Sequence, residues 1–203
     1  MQLLGQLIKE RPKMQLSIVG CPDKQHFRPY VKRAAIFYAQ ELMSPRMLEN
    51  IFIRIKFKKI DAHGYASVTE FSPSNKPRQF EIEIHPGIGA KEILKTLAHE
   101  MVHIKQYATG DMNVNCTRWK GSKVESPDYW TEPWEIEAYG TQPGLWVKFA
   151  KKEKLWEVFK GVSDPDSPIE IEEGNVAITK QQLKIKEAQE DLDKAQKKLN
   201  KLR

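Results

Sequence analysis

The chain has 203 residues, of which 40% are hydrophobic, and its formal net charge is +6. This length and apolar content can bury one ordinary core but not two large domains, and no segment approaches the roughly 20 apolar residues of a membrane helix. The two cysteines, Cys21 and Cys116, are too few for a disulfide framework, and the first residues lack the basic start and cleavage site of a signal peptide. We therefore expect a cytoplasmic protein without a membrane partner.

The order of helical and strand-like patterns along the chain predicts an α+β fold. Apolar residues that alternate with polar ones predict strands, and apolar residues that recur every three or four positions predict helices. In chain order, the predicted elements are a strand at 16–19, a helix at 28–43, strands at 51–57, 65–71 and 80–85, a helix at 90–108, a glycine-turn hairpin at 117–124, and helices at 132–142 and 145–159. Pro143 and Gly144 are expected to separate the last two helices.

Three regions are predicted from these elements. Residues 1–160 form one domain, in which a small three-stranded or larger mixed sheet packs on the helices at 90–108 and 132–142. Residues 161–175 contain Gly, Ser, Pro and acidic residues and are predicted to be a linker. Residues 176–203 read as a basic amphipathic helix with coiled-coil-like spacing, because Ile178, Ile185, Leu192 and Leu199 fall seven apart.

The sequence of the predicted C-terminal helix does not identify what it binds. It could associate with a second copy, dock another protein or pack on the domain. From residue 176 onward there are eight basic and four acidic side chains, a balance that permits contact with nucleic acid. A solvated helix surface is the simpler interpretation, because no sequence-reading nucleic-acid motif is present.

The most informative motif is His99-Glu100-Met101-Val102-His103, within the predicted helix at 90–108. Two histidines four apart lie on one helix face and can bind the same Zn²⁺, while Glu100 can reach a water rather than the metal. An apolar face runs through the same helix and Gly110 follows it as a cap. The simpler alternative is a core helix with two hydrogen-bonded histidines.

The third ligand is expected to be a glutamate, because the other three histidines all precede the motif. Glu135 and Glu137 lie on the predicted helix at 132–142 and point to nearly opposite sides, so only one can face the metal. We favour Glu135, since the small Ala138 beside it lets two helices approach closely, but Gly140 gives Glu137 the same advantage. Weaker candidates are Asp111, Cys116, Glu125, Asp128 and Glu132.

These residues resemble the small gluzincin metallopeptidases, in which His-Glu-x-x-His is followed by a helical Glu-x-x-Ala, here Glu135 to Ala138. The segment 80–106, with a strand that ends in His85-Pro86 before the motif, also looks like SprT-like proteins, and phage-encoded metallopeptidases share the look of residues 129–138. The resemblance covers roughly residues 27–150. SprT-like proteins usually close the site with a third histidine, which this chain lacks, so the departure favours the glutamate. The resemblance implies a minimal zincin-like fold, and the host cytoplasm as the setting if the chain is phage-encoded.

The predicted function is a zinc-dependent peptidase that cleaves polypeptides with one catalytic Zn²⁺ bound by His99, His103 and Glu135 and with Glu100 as general base. The zincin resemblance implies that the strand beside the motif, at 80–85, is a sheet edge that binds an extended peptide. Candidate oxyanion donors are Tyr129, Tyr139 and His85. Two alternatives are a non-catalytic binding or regulatory protein on a zincin fold, and a DNA-associated SprT-like protease.

Overall fold

Four strands form a mixed sheet in the computed structural model of the chain, which describes residues 14–69, 76–125 and 128–164. They are Gln15–Val19 (β1), Phe52–Phe57 (β2), Gly64–Val68 (β3) and Gln79–Ile84 (β4). The strand order is β1-β2-β4-β3, in which β1 and β4 are parallel to β2 and β3 is antiparallel to β4. The predicted α+β class and mixed sheet are confirmed.

Alternation along the strands separates a buried face of the sheet from a polar face. Residues with no exposed surface project from the two central strands toward the helices; they are Ile53, Ile55, Phe80, Ile82 and Ile84. On the other face, Lys56 of β2 pairs with Glu81 of β4 at 2.7 Å, and Lys58, just after β2, pairs with Glu83 of β4 at 3.2 Å. Period-two alternation thus predicted the buried face of β4 correctly.

The prediction that the strand at 80–85 is a sheet edge was wrong. This strand, β4, lies between β2 and β3, and among the described strands β3 is the edge beside the motif helix. Alternation shows which face of a strand is buried, but it carries no information on how many neighbours the strand has. The motif helix therefore lies beside β3, which is antiparallel to β4 and precedes it in the chain.

The helices cover the buried face of the sheet. They are Arg28–Leu42 (α1), the single turn Pro45–Leu48 (α2), Gly89–Thr109 (α3) and Pro133–Glu153 (α4), and α1, α3 and α4 pack against one another. A small hairpin, Arg118–Trp119 (β5) with Ser122–Lys123 (β6), lies between α3 and α4. The predicted motif helix is confirmed: it is buried along most of its length and ends at Gly110, whose φ of 80° is the left-handed conformation that glycine favours.

The predicted break at Pro143 and Gly144 is wrong, because α4 runs through both residues as one helix. Proline removes one backbone donor from a helix interior, which is tolerable where the freed carbonyl faces water. Pro143 and Gly144 are both exposed, while Leu145, Trp146 and Phe149 continue the buried face. Burial of that face outweighs the local preference to stop.

The predicted helix at 176–203 and most of the predicted linker at 161–175 lie outside the described residues. Within the described part of the chain, no helix combines the length and apolarity needed to cross a bilayer.

Candidate metal centre

Packing of α4 on α3 brings His99, His103 and Glu135 together. The Nε2 atoms of the two histidines are 3.1 Å apart. Glu135 places Oε2 3.2 Å from Nε2 of His99 and Oε1 3.3 Å from Nε2 of His103. All three side chains are buried, and the small Ala138 is fully buried one turn along α4 from Glu135.

This donor set fits a zinc ion. Ligand atoms at zinc's usual bond lengths in a tetrahedral site stand roughly 3.3 Å from one another. The two imidazole nitrogens are 3.1 Å apart, and each lies 3.2–3.3 Å from one of the two Glu135 oxygens, so a single ion is within reach of all three side chains. Two imidazole nitrogens and one carboxylate are also the set that catalytic zinc uses when one position stays open for water. His99, His103 and Glu135 are therefore the residues that would hold the metal.

Glu137, the alternative third ligand, points away from this cluster. Its carboxylate accepts hydrogen bonds from Nε2 of Gln106 at 2.9 Å and from Nζ of Lys105 at 3.3 Å. The weaker candidates also have other partners: Asp111 binds Lys105, Glu132 binds the Trp134 indole, Cys116 contacts Tyr107, Glu125 pairs with Lys123 and Asp128 caps a short 3₁₀ turn. Of the glutamates that the sequence left open, the structure brings only Glu135 to the histidines.

Gln106 determines which nitrogen of His103 faces the cluster. The amide nitrogen of Gln106 donates to the Trp134 carbonyl and to Glu137, both at 2.9 Å. The amide oxygen must therefore be the atom that lies 2.8 Å from Nδ1 of His103, and it can only accept. Nδ1 therefore carries a proton, so in the neutral ring the lone pair is on Nε2, the nitrogen beside Glu135 and His99, as a metal ligand requires; in the charged ring Nε2 is also protonated and donates to Glu135.

His99 is positioned differently. Its Nδ1 is buried and has no hydrogen-bond partner among the described residues. The ring instead packs against the ring of Tyr139, with centroids 4.5 Å apart. The protein therefore selects the tautomer of His103 by a hydrogen bond but holds His99 by ring packing.

The charges of the cluster are mutually dependent. Burial disfavours the Glu135 carboxylate, but hydrogen bonds from His103 and His99 outweigh it and lower its pKa to about 2. Burial likewise opposes the charged form of His103, yet the bond to Glu135 and the neighbouring Glu100 hold the pKa of His103 above its ordinary value. Tyr129 donates its hydroxyl to Oε2 of Glu135 at 2.8 Å. The pocket thus favours an anion at residue 135 and positive charge beside it.

Glu100 lies next to the cluster without bonding to its nitrogens. It is only 5% exposed, and burial raises its pKa although the imidazoles of His103 and His99 oppose the shift. Its carboxylate packs against Gly64 of β3, where an added Cβ would lie 3.0 Å from Oε1 of Glu100 and 2.4 Å from Cγ2 of Thr96. The absence of a side chain at residue 64 therefore makes room for the carboxylate.

A cleft of about 580 Å³ opens onto the cluster. Residues before and at the start of β3 form one side of its lining, and α4 with the preceding turn forms another; among the lining residues are His63, Gly64, Glu100, Tyr129 and Tyr139. His63, which immediately precedes β3, lies in this lining. His85 is not in the lining, and its Nδ1 accepts a hydrogen bond from the Gly87 N–H. Of the three candidate oxyanion donors, the two tyrosines line the cleft.

Two residues of the site were missed by sequence reasoning. Gln106 lies three positions after His103, a spacing that places both on one helix face and that could have revealed it. Gly64 is the second, and its close approach to Glu100 depends on the packing of β3 against α3, which no local sequence pattern predicts.

Comparisons of the chain with protein-family models, with curated proteins and with solved structures found no match.

Proposed function

We propose that the chain is a zinc-dependent peptidase with a minimal zincin-like domain, of the kind that the gluzincin resemblance implies. The observation that carries this proposal is the position of Glu100, a buried carboxylate beside a complete donor set and open to a cleft. A structural metal site has no use for an additional carboxylate that the metal does not bind. A hydrolytic site needs one, because water must lose a proton as it attacks.

The reaction assigns a proton path to Glu100. His99, His103 and Glu135 would hold the zinc ion, which would supply the Lewis acidity that makes water a nucleophile near neutral pH. As the water oxygen bonds to the peptide carbonyl carbon, Glu100 takes one of its protons. Glu100 then delivers that proton to the amide nitrogen as the carbon–nitrogen bond breaks, so the products are a carboxylic acid and an amine.

The polypeptide class of substrate is supported by the edge strand. Among the described residues, the side of β3 away from β4 pairs with no other strand. An extended peptide can add to such an edge through backbone hydrogen bonds, which read little sequence. Because Gly64 at the start of β3 touches Glu100, a peptide bound there would pass close to the proposed general base.

The proposal is tested by Glu100→Gln. Glutamine preserves the shape of the side chain but cannot accept the proton, so we expect zinc to be retained and peptide hydrolysis to fall by about 10²–10⁴-fold. Glu92→Gln is the matched control, because Glu92 lines the same cleft and pairs with Lys95 at 3.3 Å, away from the donor atoms. It should keep both zinc and activity.

Zinc content and hydrolysis of an unfolded protein such as casein are measured on all three chains. Equal activity of the wild type and Glu100→Gln, with zinc present in both, would refute the mechanism. A wild type that retains zinc but cuts no peptide would favour the non-catalytic binding protein instead.

A further inference from the structure

Three aromatic rings form an exposed surface beside the donor cluster; we name Tyr129, Trp130 and Tyr139 the aromatic pad. Trp130 packs on both tyrosines with ring centroids 5.3 Å away in each case, and Tyr139 continues the contact to His99 at 4.5 Å. The three residues are 48%, 64% and 42% exposed. Contiguous exposed aromatic surface of this kind marks a binding site more often than isolated apolar residues do.

The aromatic pad is continuous with the proposed reaction site. Tyr129 and Tyr139 line the same cleft as Glu100, and Trp130 extends their surface outward from the lining. A side chain that covers the aromatic pad would therefore belong to a residue near the bond being cut. Aromatic surface of this kind contributes most binding free energy when a large apolar side chain covers it, since it offers few polar atoms for hydrogen bonds.

The charged groups of the cleft do not favour an acidic side chain at this position. Within the described lining, Lys95 is paired with Glu92, and Glu100 is assigned to the reaction. No unpaired cation in that lining would receive an acidic substrate side chain. The tyrosine hydroxyl next to the donor atoms is also engaged, because Tyr129 donates to Glu135.

We infer that the aromatic pad selects polypeptides with an aromatic or large aliphatic side chain beside the cleaved bond. This inference rests on the proposed peptidase function and adds the class of side chain that the site accepts. Trp130 is a specificity-determining residue, and it bonds to none of the proposed zinc ligands.

The test uses the full-length, zinc-loaded chain with Glu100→Gln, so that peptides bind without being cut. Dissociation constants are measured by calorimetry for two peptides that differ only in Phe or Gly at one position, which is moved along the peptide in a series. Trp130→Ala should weaken binding of the best Phe peptide about tenfold, the effect of losing one aromatic contact, and should change Gly-peptide binding less than twofold. Ile136→Ala is the matched control, because Ile136 is an exposed apolar residue of α4 outside the aromatic pad.

The outcomes separate this inference from the proposed function. Equal effects of Trp130→Ala on the Phe and Gly peptides, or no preference for Phe at any position, would overturn the inference. Selective binding of Phe peptides by a chain whose wild type cuts none of them would support the aromatic pad and refute the peptidase. Cleavage of both peptides at equal rates by the wild type would support the peptidase and overturn the aromatic pad.

Discussion

Replacing Gln106 with methionine tests whether the hydrogen bond to His103 prepares the metal site. The change keeps a long unbranched side chain but removes three hydrogen bonds, to His103 at 2.8 Å and to the Trp134 carbonyl and Glu137 at 2.9 Å each. Nδ1 of His103 then has no acceptor, and nothing fixes which of its nitrogens carries the proton. We expect zinc to bind more weakly, because the ligand tautomer must be selected during binding.

The structure sets the size of this effect. Loss of an outer-shell partner typically weakens metal binding 10–100-fold, which corresponds to about 1.4–2.7 kcal/mol. The variant also leaves His103 Nδ1 without a partner, at about 1–3 kcal/mol, whereas the Trp134 carbonyl lies inside α4 and keeps the N–H of Ala138 as its helical donor. Glu137 keeps Lys105 as a partner. The resulting loss of about 1–3 kcal/mol is smaller than the stability of ordinary domains, about 5–15 kcal/mol, so the variant should fold.

The assay is competition for zinc with a chromogenic chelator at neutral pH, together with circular dichroism to confirm folding. Gln142→Met is the matched control, because Gln142 lines the cleft but is not among the hydrogen-bond partners of His103. The ¹⁵N signals of the His103 ring add a direct measurement of the tautomer in the metal-free chain. A folded Gln106→Met chain with zinc affinity within twofold of the wild type, and an unchanged tautomer, would refute the reasoning.

Three further predictions concern the same site. Glu135→Gln should weaken zinc binding at least tenfold more than Glu137→Gln does, because only Glu135 lies at the donor cluster. If the chelator assay gives the reverse ranking, Glu137 and not Glu135 is the third ligand. Gly64→Ala should lower kcat/KM about tenfold or more, because the new Cβ displaces Glu100. Adding Thr96→Ser removes the methyl group that would lie 2.4 Å from this Cβ and should restore part of the lost kcat/KM. Unaltered kinetics in Gly64→Ala would contradict the close contact. In the metal-free chain, the stability that neutral Glu100 contributes is full below its ordinary pKa of 4.5 and is lost as pH rises through its raised folded-state pKa. The free energy of unfolding should therefore decline with pH more steeply in the wild type than in Glu100→Gln, and urea titrations that give equal slopes would disprove this.

Local patterns in the sequence were sufficient for the helix that carries the motif. Apolar residues every three or four positions predicted a buried helix over 90–108, and α3 extends one residue beyond each end of that range. The spacing of His99 and His103 then required their side chains to share one face, whatever the rest of the fold. The same kind of local signal predicted the buried side of β4, because its alternation has a period of two.

Long-range packing decided what local patterns could not. Glu135 and Glu137 have similar sequence surroundings, and the angle at which α4 meets α3 turns Glu135 to the histidines while Gln106 and Lys105 bind Glu137. The edge position of β3 was likewise hidden, since strand neighbours depend on pairing between distant segments.

The sequence by itself determined the motif helix, its two histidines and the preference for a glutamate over a histidine as the third member of the donor cluster, because these follow from residue spacing and residue inventory. Only the tertiary structure decided which glutamate, the continuity of α4 through Pro143, and the contact of Gly64 with Glu100. The physical reason is that helix and strand periodicity is a property of neighbouring residues, whereas a three-residue site whose outer members, His99 and Glu135, are 36 residues apart depends on how separate elements pack.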